Sequence, residues 1–277
     1  MVMSVVIDLP CPPKQTLGRG DTDAGTRALL GLLRARDQAA FVRASAERDG
    51  RDPATASVKV VTLAADGKRF DRSVLLPDLE REAAGLDAIA PDCATCPVNR
   101  GGRAGGCVGV VHYPIPRSAE AWLLARVQPP DTVGGFLMLR AVKDFKYDGT
   151  AVTPYRQRRL FEAAEPLTRP LPANEFGATE VTSDQLFHAL LGVGPKLNPW
   201  HLGLVLTWVG GLAVDGVIPT TPEQFDQLIN LTPADRPNRT VPNLGEPSAD
   251  AGERAVQGLL YRMAVAWAHD RPMIVDV

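Results

Sequence analysis

Three of the chain's four cysteines lie in one glycine- and arginine-rich stretch, Cys93-Ala-Thr-Cys96 and then Cys107, and the fourth, Cys11, sits among prolines near the N-terminus. Two thiolates separated by two residues can share a metal ion, because the intervening turn brings both sulfurs to one side. Cys107 returns after a span containing Gly101, Gly102, Gly105 and Gly106, which let the backbone fold back closely. Gly106-Cys107-Val108-Gly109 looks like half of a second metal knuckle, so a tetrahedral site needs one further donor. Cys11 is the first choice, since a turn just beyond a strand can present its side chain. His112 is the substitute fourth ligand, five residues after Cys107 in a stretch that reads as a strand.

The leading expectation is a structural zinc ion held by Cys11, Cys93, Cys96 and Cys107, in a protein that acts as a binding or assembly module. The alternative is an iron–sulfur redox protein or enzyme using the same cysteines. Proline after Cys11 and Cys96 speaks for a cluster, whereas the spacing follows neither ferredoxin pattern. A third reading is a zinc-dependent hydrolase or transferase with an open coordination position for water. Against all three stands the plain reading of cysteine as a small buried hydrophobe. It accounts easily for Cys11 alone and poorly for three cysteines in a loop of Gly, Arg, Asn and Pro.

Between Cys96 and Cys107 the loop carries Asn99, Arg100 and Arg103 and no acid, a set that can receive a small anion beside a metal charge. Solvated arginines are the simpler account. The wider segment 96–160 holds ten bases (Arg100, Arg103, Arg117, Arg126, Arg140, Lys143, Lys146, Arg156, Arg158, Arg159) against four acids (Glu120, Asp131, Asp144, Asp148). It is therefore +6 in a chain of −2, which leaves −8 for the rest. Tyr155-Arg-Gln-Arg-Arg159 could serve a nucleic acid, but short basic runs are mostly exposed helix faces. A protein partner or a small anion is the better expectation. His188, His201 and His269 read as structural. No nucleophile elbow, phosphate loop or dinucleotide-binding glycine pattern is present, so no catalytic residue is assigned.

These residues need elements to position them. Val5–Leu9 reads as a strand broken by Pro10, Pro12 and Pro13, and about Asp23–Ala46 as a helix with Leu29, Leu30, Leu33, Ala40 and Phe41 on its apolar face. SVKVVTL and RFDRSVLL, joined through Asp66-Gly67, read as a hairpin. A short helix over Pro77–Ile89 leads into the cysteine loop, and a strand follows Cys107. Ser118 is expected to cap a helix, and Phe136–Phe145 forms another. Thr182 with Gln185, and Thr221 with Gln224, match the capping box. Trp200–Leu212 reads as a buried helix and Asp250–His269 as an amphipathic one, with MIVDV as a last strand; Pro233–Pro247 reads as surface loop.

The whole predicts an α+β fold: an N-terminal mixed or antiparallel sheet with helices, a metal-stapled cysteine loop, and a mostly helical C-terminal part. One domain over 1–277 is expected, with a subdivision into 1–170 and 171–277 as the variant. Apolar side chains suffice for a core, so metal is not needed for folding as it is in a short finger. The N-terminus lacks the basic start and continuous apolar stretch of a secretory signal, and the 13 residues of Leu202–Val214 fall short of a membrane span. These features predict a cytoplasmic protein without membrane segments, whose cysteines are reduced or metal-bound rather than paired in disulfides.

Overall fold

The computed structural model describes residues 2–63, 69–99, 105–174 and 177–276. The chain is α+β and packs as two compact units. The division does not fall near residue 170. One unit comprises residues 1–9 and 108–277, and the other, residues 10–107, is spliced into it.

The first unit opens with β1 (Val2–Ile7). The spliced unit then runs through α1 (Pro12–Leu17), α2 (Thr22–Arg48), β2 (Ser57–Leu63), β3 (Arg69–Leu75) and α3 (Leu76–Ala83). A 3-10 turn (Ala84–Ile89) and α4 (Ala90–Ala94) complete it. Prolines at 12 and 13 start a helix instead of merely ending the strand. The first turn of a helix has amides with no partner, so a residue lacking N–H is tolerated there. The hairpin forms as expected, β2 against β3 with Ser57 opposite Leu75; its Asp66-Gly67 turn lies outside the described residues. Helix α2 is capped by Asp21, whose carboxylate accepts from the amides of Asp23 and Ala24. Its buried face runs from Leu29, Leu30 and Leu33 through Ala35, Ala39, Val42 and Ala46, whereas Phe41 is exposed. That is the helical period carried two turns further, and it places Phe41 a neighbouring position off the stripe. Ala56, Leu76 and Leu79 pack on the far part of this face.

The first unit resumes with β4 (Val108–His112), α5 (Arg117–Ala125), α6 (Val133–Asp144), a 3-10 turn (Thr150–Val152) and α7 (Thr153–Gln157). It continues with β5 (Thr168–Asn174), β6 (Gly177–Thr182), α8 (Ser183–Leu191), β7 (Lys196–Leu197) and α9 (Pro199–Trp208). Last come β8 (Leu212–Val214), α10 (Pro222–Ile229), α11 (Arg236–Arg239), β9 (Thr240–Pro242), α12 (Ala251–Ala268) and β10 (Met273–Asp276). An antiparallel sheet in the order β4-β1-β10-β7 joins segments far apart in sequence. Val2 stands opposite His112 and Val6 opposite Val108, while Val5 stands opposite Val275 on the other side. Helix α12 packs on β4, α5 and α9 through Val256, Leu259, Leu260, Met263 and Trp267, all buried. Among the described residues no helix is long and apolar enough to cross a membrane.

Both capping boxes form, at Thr182/Gln185 and Thr221/Gln224. Ser118 does not cap α5, whose cap position is Pro116. Its hydroxyl donates instead to Asp250, the cap of α12. The helix expected over Trp200–Leu212 stops at Trp208, and Leu212 begins a strand that pairs with β9. The stretch around the expected division at 170 contributes β5, which pairs antiparallel with β6.

Candidate metal centre

All four cysteines belong to the spliced unit, and none is in a disulfide. Cys11 occupies the cap position of α1 with extended backbone (φ −148°, ψ 157°) and is partly buried. Helix α1 packs on α2 and touches α4. The α1–α2 approach depends on Gly25: a Cβ there would fall 1.7 Å from the carbonyl oxygen of Lys14. Cys93 is buried within α4. Two consecutive turns follow, in which the Cys96 amide donates to the Cys93 carbonyl (3.2 Å) and the Asn99 amide to the Cys96 carbonyl (2.9 Å). The Asn99 side chain locks this loop. Its Nδ2 donates to the Cys93 carbonyl at 2.7 Å, and its Oδ1 lies against Gly106, where a Cβ would meet it at 1.8 Å. Asn99 thus bonds to the turn that carries Cys93 and packs against the residue before Cys107. Cys107 is buried and leads directly into β4.

The thiols sense one another. Burial pushes the Cys107 thiol up to about 11; the Lys14 ammonium pulls it down, and charge at Cys11, Cys96 and Cys93 pushes it up further. Burial likewise raises the Cys11 thiol. The Lys14 amide facing the sulfur and the Lys14 ammonium oppose this, and charge at Cys96 and Cys93 adds to it. Cys11 and Cys107 bracket the spliced unit, and both feel the charge of Lys14, Cys93 and Cys96. Among the described residues, however, no three His, Cys, Asp or Glu side chains close around a point as ligands of a single ion do.

His112 belongs to the other unit, where it is exposed at the end of β4, opposite Val2. Asp92 is exposed. Asn99 is nine-tenths buried, and its Oδ1 has no hydrogen-bond donor among the described residues. Arg100 and Arg103 lie outside the described residues, so of the anion-binding set only Asn99 has a described place.

Of the described bases of this segment, Arg156 is buried, Arg117 and Arg126 are half-buried and the others are exposed. Arg156, read as part of a surface run, is buried, and its side chain donates to Glu120, Asp184 and the Ala163 carbonyl. Ser183 joins them with a 2.6 Å bond to Glu120. Burial works against the guanidinium's charge, yet the bonds to Asp184 and Glu120 prevail and its pKa is raised. The Arg117 backbone amide donates to Glu162 and its guanidinium to the Glu165 carbonyl, Arg126 donates to the Asn243 carbonyl, and Arg140 pairs with Asp144 at the surface. Arg158 and Arg159 remain exposed. Two histidines are held within the fold: His188 accepts the Gly149 amide, and His201, with its pKa lowered by burial, lies 2.6 Å from the Ala189 carbonyl.

Sequence reasoning missed Lys14 and the acids around Arg156. Lys14 follows Cys11 by three positions, but nothing in Cys-Pro-Pro-Lys signals an enclosed ammonium. No known protein family, curated protein or solved structure matches this chain.

Proposed function

We propose that the chain is a metal-binding protein whose Cys11, Cys93, Cys96 and Cys107 hold a structural zinc ion, serving as a binding or assembly module in a reducing, cytoplasmic setting. The observation that carries this reading is the gathering of four cysteines, spread from position 11 to 107, into one neighbourhood of one unit. The contact of α1 with α4, and Asn99 bonded to the Cys93 carbonyl and packed against Gly106, support it. Closing the group to zinc–sulfur distances requires the sulfurs to move inward together. Cys11 and Cys96, which are only partly buried, are free of the tight packing that would resist such movement.

One observation favours a second reading. Proline follows both Cys11 and Cys96, as it often follows a cluster ligand, and this speaks for a multi-iron cluster on the same cysteines. Elemental analysis and visible absorption of protein purified without oxygen decide between them. About one zinc per chain and no colour is the expected result. Iron with inorganic sulfide and a brown colour moves the assignment to the cluster. Less than about a quarter equivalent of any metal, with four freely titrating thiols, removes both.

A further inference from the structure

The segment 244–249 that follows β9 is held against α12 by side chains of the helix itself. Gln257, nine-tenths buried, donates from Nε2 to the Leu244 and Glu246 carbonyls (3.3 and 3.0 Å), and its Oε1 accepts the Ser248 amide at 2.8 Å. Arg254 donates from Nη1 to the Ser248 and Ala249 carbonyls. Between segment and helix lies a hollow of about 220 Å³, bounded by Leu244 and Pro247 on one side and by Arg254, Gly258 and Tyr261 on the other. Arg254, Gly258 and Tyr261 are four and three positions apart, so they share one face of α12. The missing side chain at Gly258 leaves the gap between the other two. Glycine is unfavourable inside a helix, and packing does not demand it here. A Cβ at 258 would meet only the Nη1 end of the flexible Arg262 side chain, at 3.1 Å. The seven positions from Arg254 to Tyr261 span ~10 Å of helix, with a guanidinium at one end and a phenol at the other. The Nε and Nη2 donors of Arg254 have no partner among the described residues, and no carboxylate there lies within ion-pair distance of it.

We propose that this hollow binds a small aromatic carboxylate. The ring packs on Leu244, Pro247 and the bare turn at Gly258, beside Tyr261, and the carboxylate takes the open donors of Arg254. One benzene ring is held by an apolar cavity of about 150 Å³, so the hollow has room for a ring and a short acidic arm. The site uses no residue of the cysteine group.

Calorimetric titration of the full-length chain with phenylacetate tests the proposal, beside phenylacetamide, an uncharged molecule of like shape. Phenylacetate is expected to bind one per chain with a Kd of ~0.1–1 mM. Phenylacetamide should bind about tenfold more weakly, since it forgoes the charge-assisted bonds. Gly258→Leu fills the gap and should abolish binding while circular dichroism stays that of wild type. Arg254→Gln should bind acid and amide alike. No saturable binding up to about 10 mM phenylacetate, equal affinity for acid and amide in wild type, or unchanged affinity in Gly258→Leu overturns the proposal. Should Gly258→Leu fail to fold, the Leu244 methyl and Gly258 amide resonances of wild type decide. Shifts there that saturate with the calorimetric Kd support the site, and shifts confined to other residues overturn it.

Discussion

A thiol that titrates near 11, as at Cys107, is neutral at pH 7, so a metal ion that takes it up must displace a proton. Metal affinity is therefore expected to rise with pH across the neutral range, which competition with a chelator of known affinity measures. The metal-free protein responds in the opposite direction. The folded thiol titrates above its ordinary value of 9.0, so folding favours the neutral form. Its contribution is complete below about pH 9 and is lost as pH rises toward about 11, some 2–3 kcal/mol in all. Urea midpoints of metal-free protein should fall between about pH 8 and about pH 10.5, and equal midpoints would show the thiol to be solvated. In the other unit, Arg156→Met leaves Glu120 and Asp184 enclosed without their cation. A loss of about 3–5 kcal/mol in urea unfolding is expected. Neither Lys14 nor the Glu120–Arg156 pair is legible from residue type, since Lys and Arg in a polar stretch read as solvated. Cysteine in a glycine loop has few structural uses, and for that reason the ligand candidates stand out.

Elements announce themselves where the signal is local. Thr-x-x-Gln begins a helix because its two side chains satisfy amides of the first turn, and both occurrences do so. Thr182→Ala should cost about 1 kcal/mol in thermal or urea unfolding. Proline is ambiguous by comparison. The same residue that breaks a strand opens α1, and Pro170 and Pro172 lie within β5, one of only two strands in its sheet, where a missing amide is tolerated at an edge. Within Pro233–Pro247, for the same reason, β9 reads as loop. Helix α1 matters most for the cysteines, and its seat is Gly25. Gly25→Ala drives a methyl into the Lys14 carbonyl, so it should destabilise by ~1–3 kcal/mol and lower metal retention. Wild-type metal content in that variant would mean that α1 does not position Cys11.

On the scale of the whole molecule, the sheet draws its strands from both ends of the chain and from its middle, a pairing that periodicity cannot reveal because each strand carries only its own pattern. The α+β class is legible from the mix of elements, and the splice between β1 and β4 is not. If metal is held by residues 11 to 107 alone, its removal should loosen that unit selectively. Hydrogen exchange after chelation is expected to accelerate in 10–107 and to stay unchanged in β10 and α12; uniform acceleration would speak against a centre confined to the splice. The register has a further result. Val6 faces Val108 across the strand pair, so joining Leu9 directly to Val108 leaves Ile7, Asp8 and Leu9 as a hairpin connection of ordinary length. The gene therefore carries a natural cassette boundary: everything between those two codons can be exchanged for a foreign module without deleting one hydrogen bond of the β1–β4 ladder.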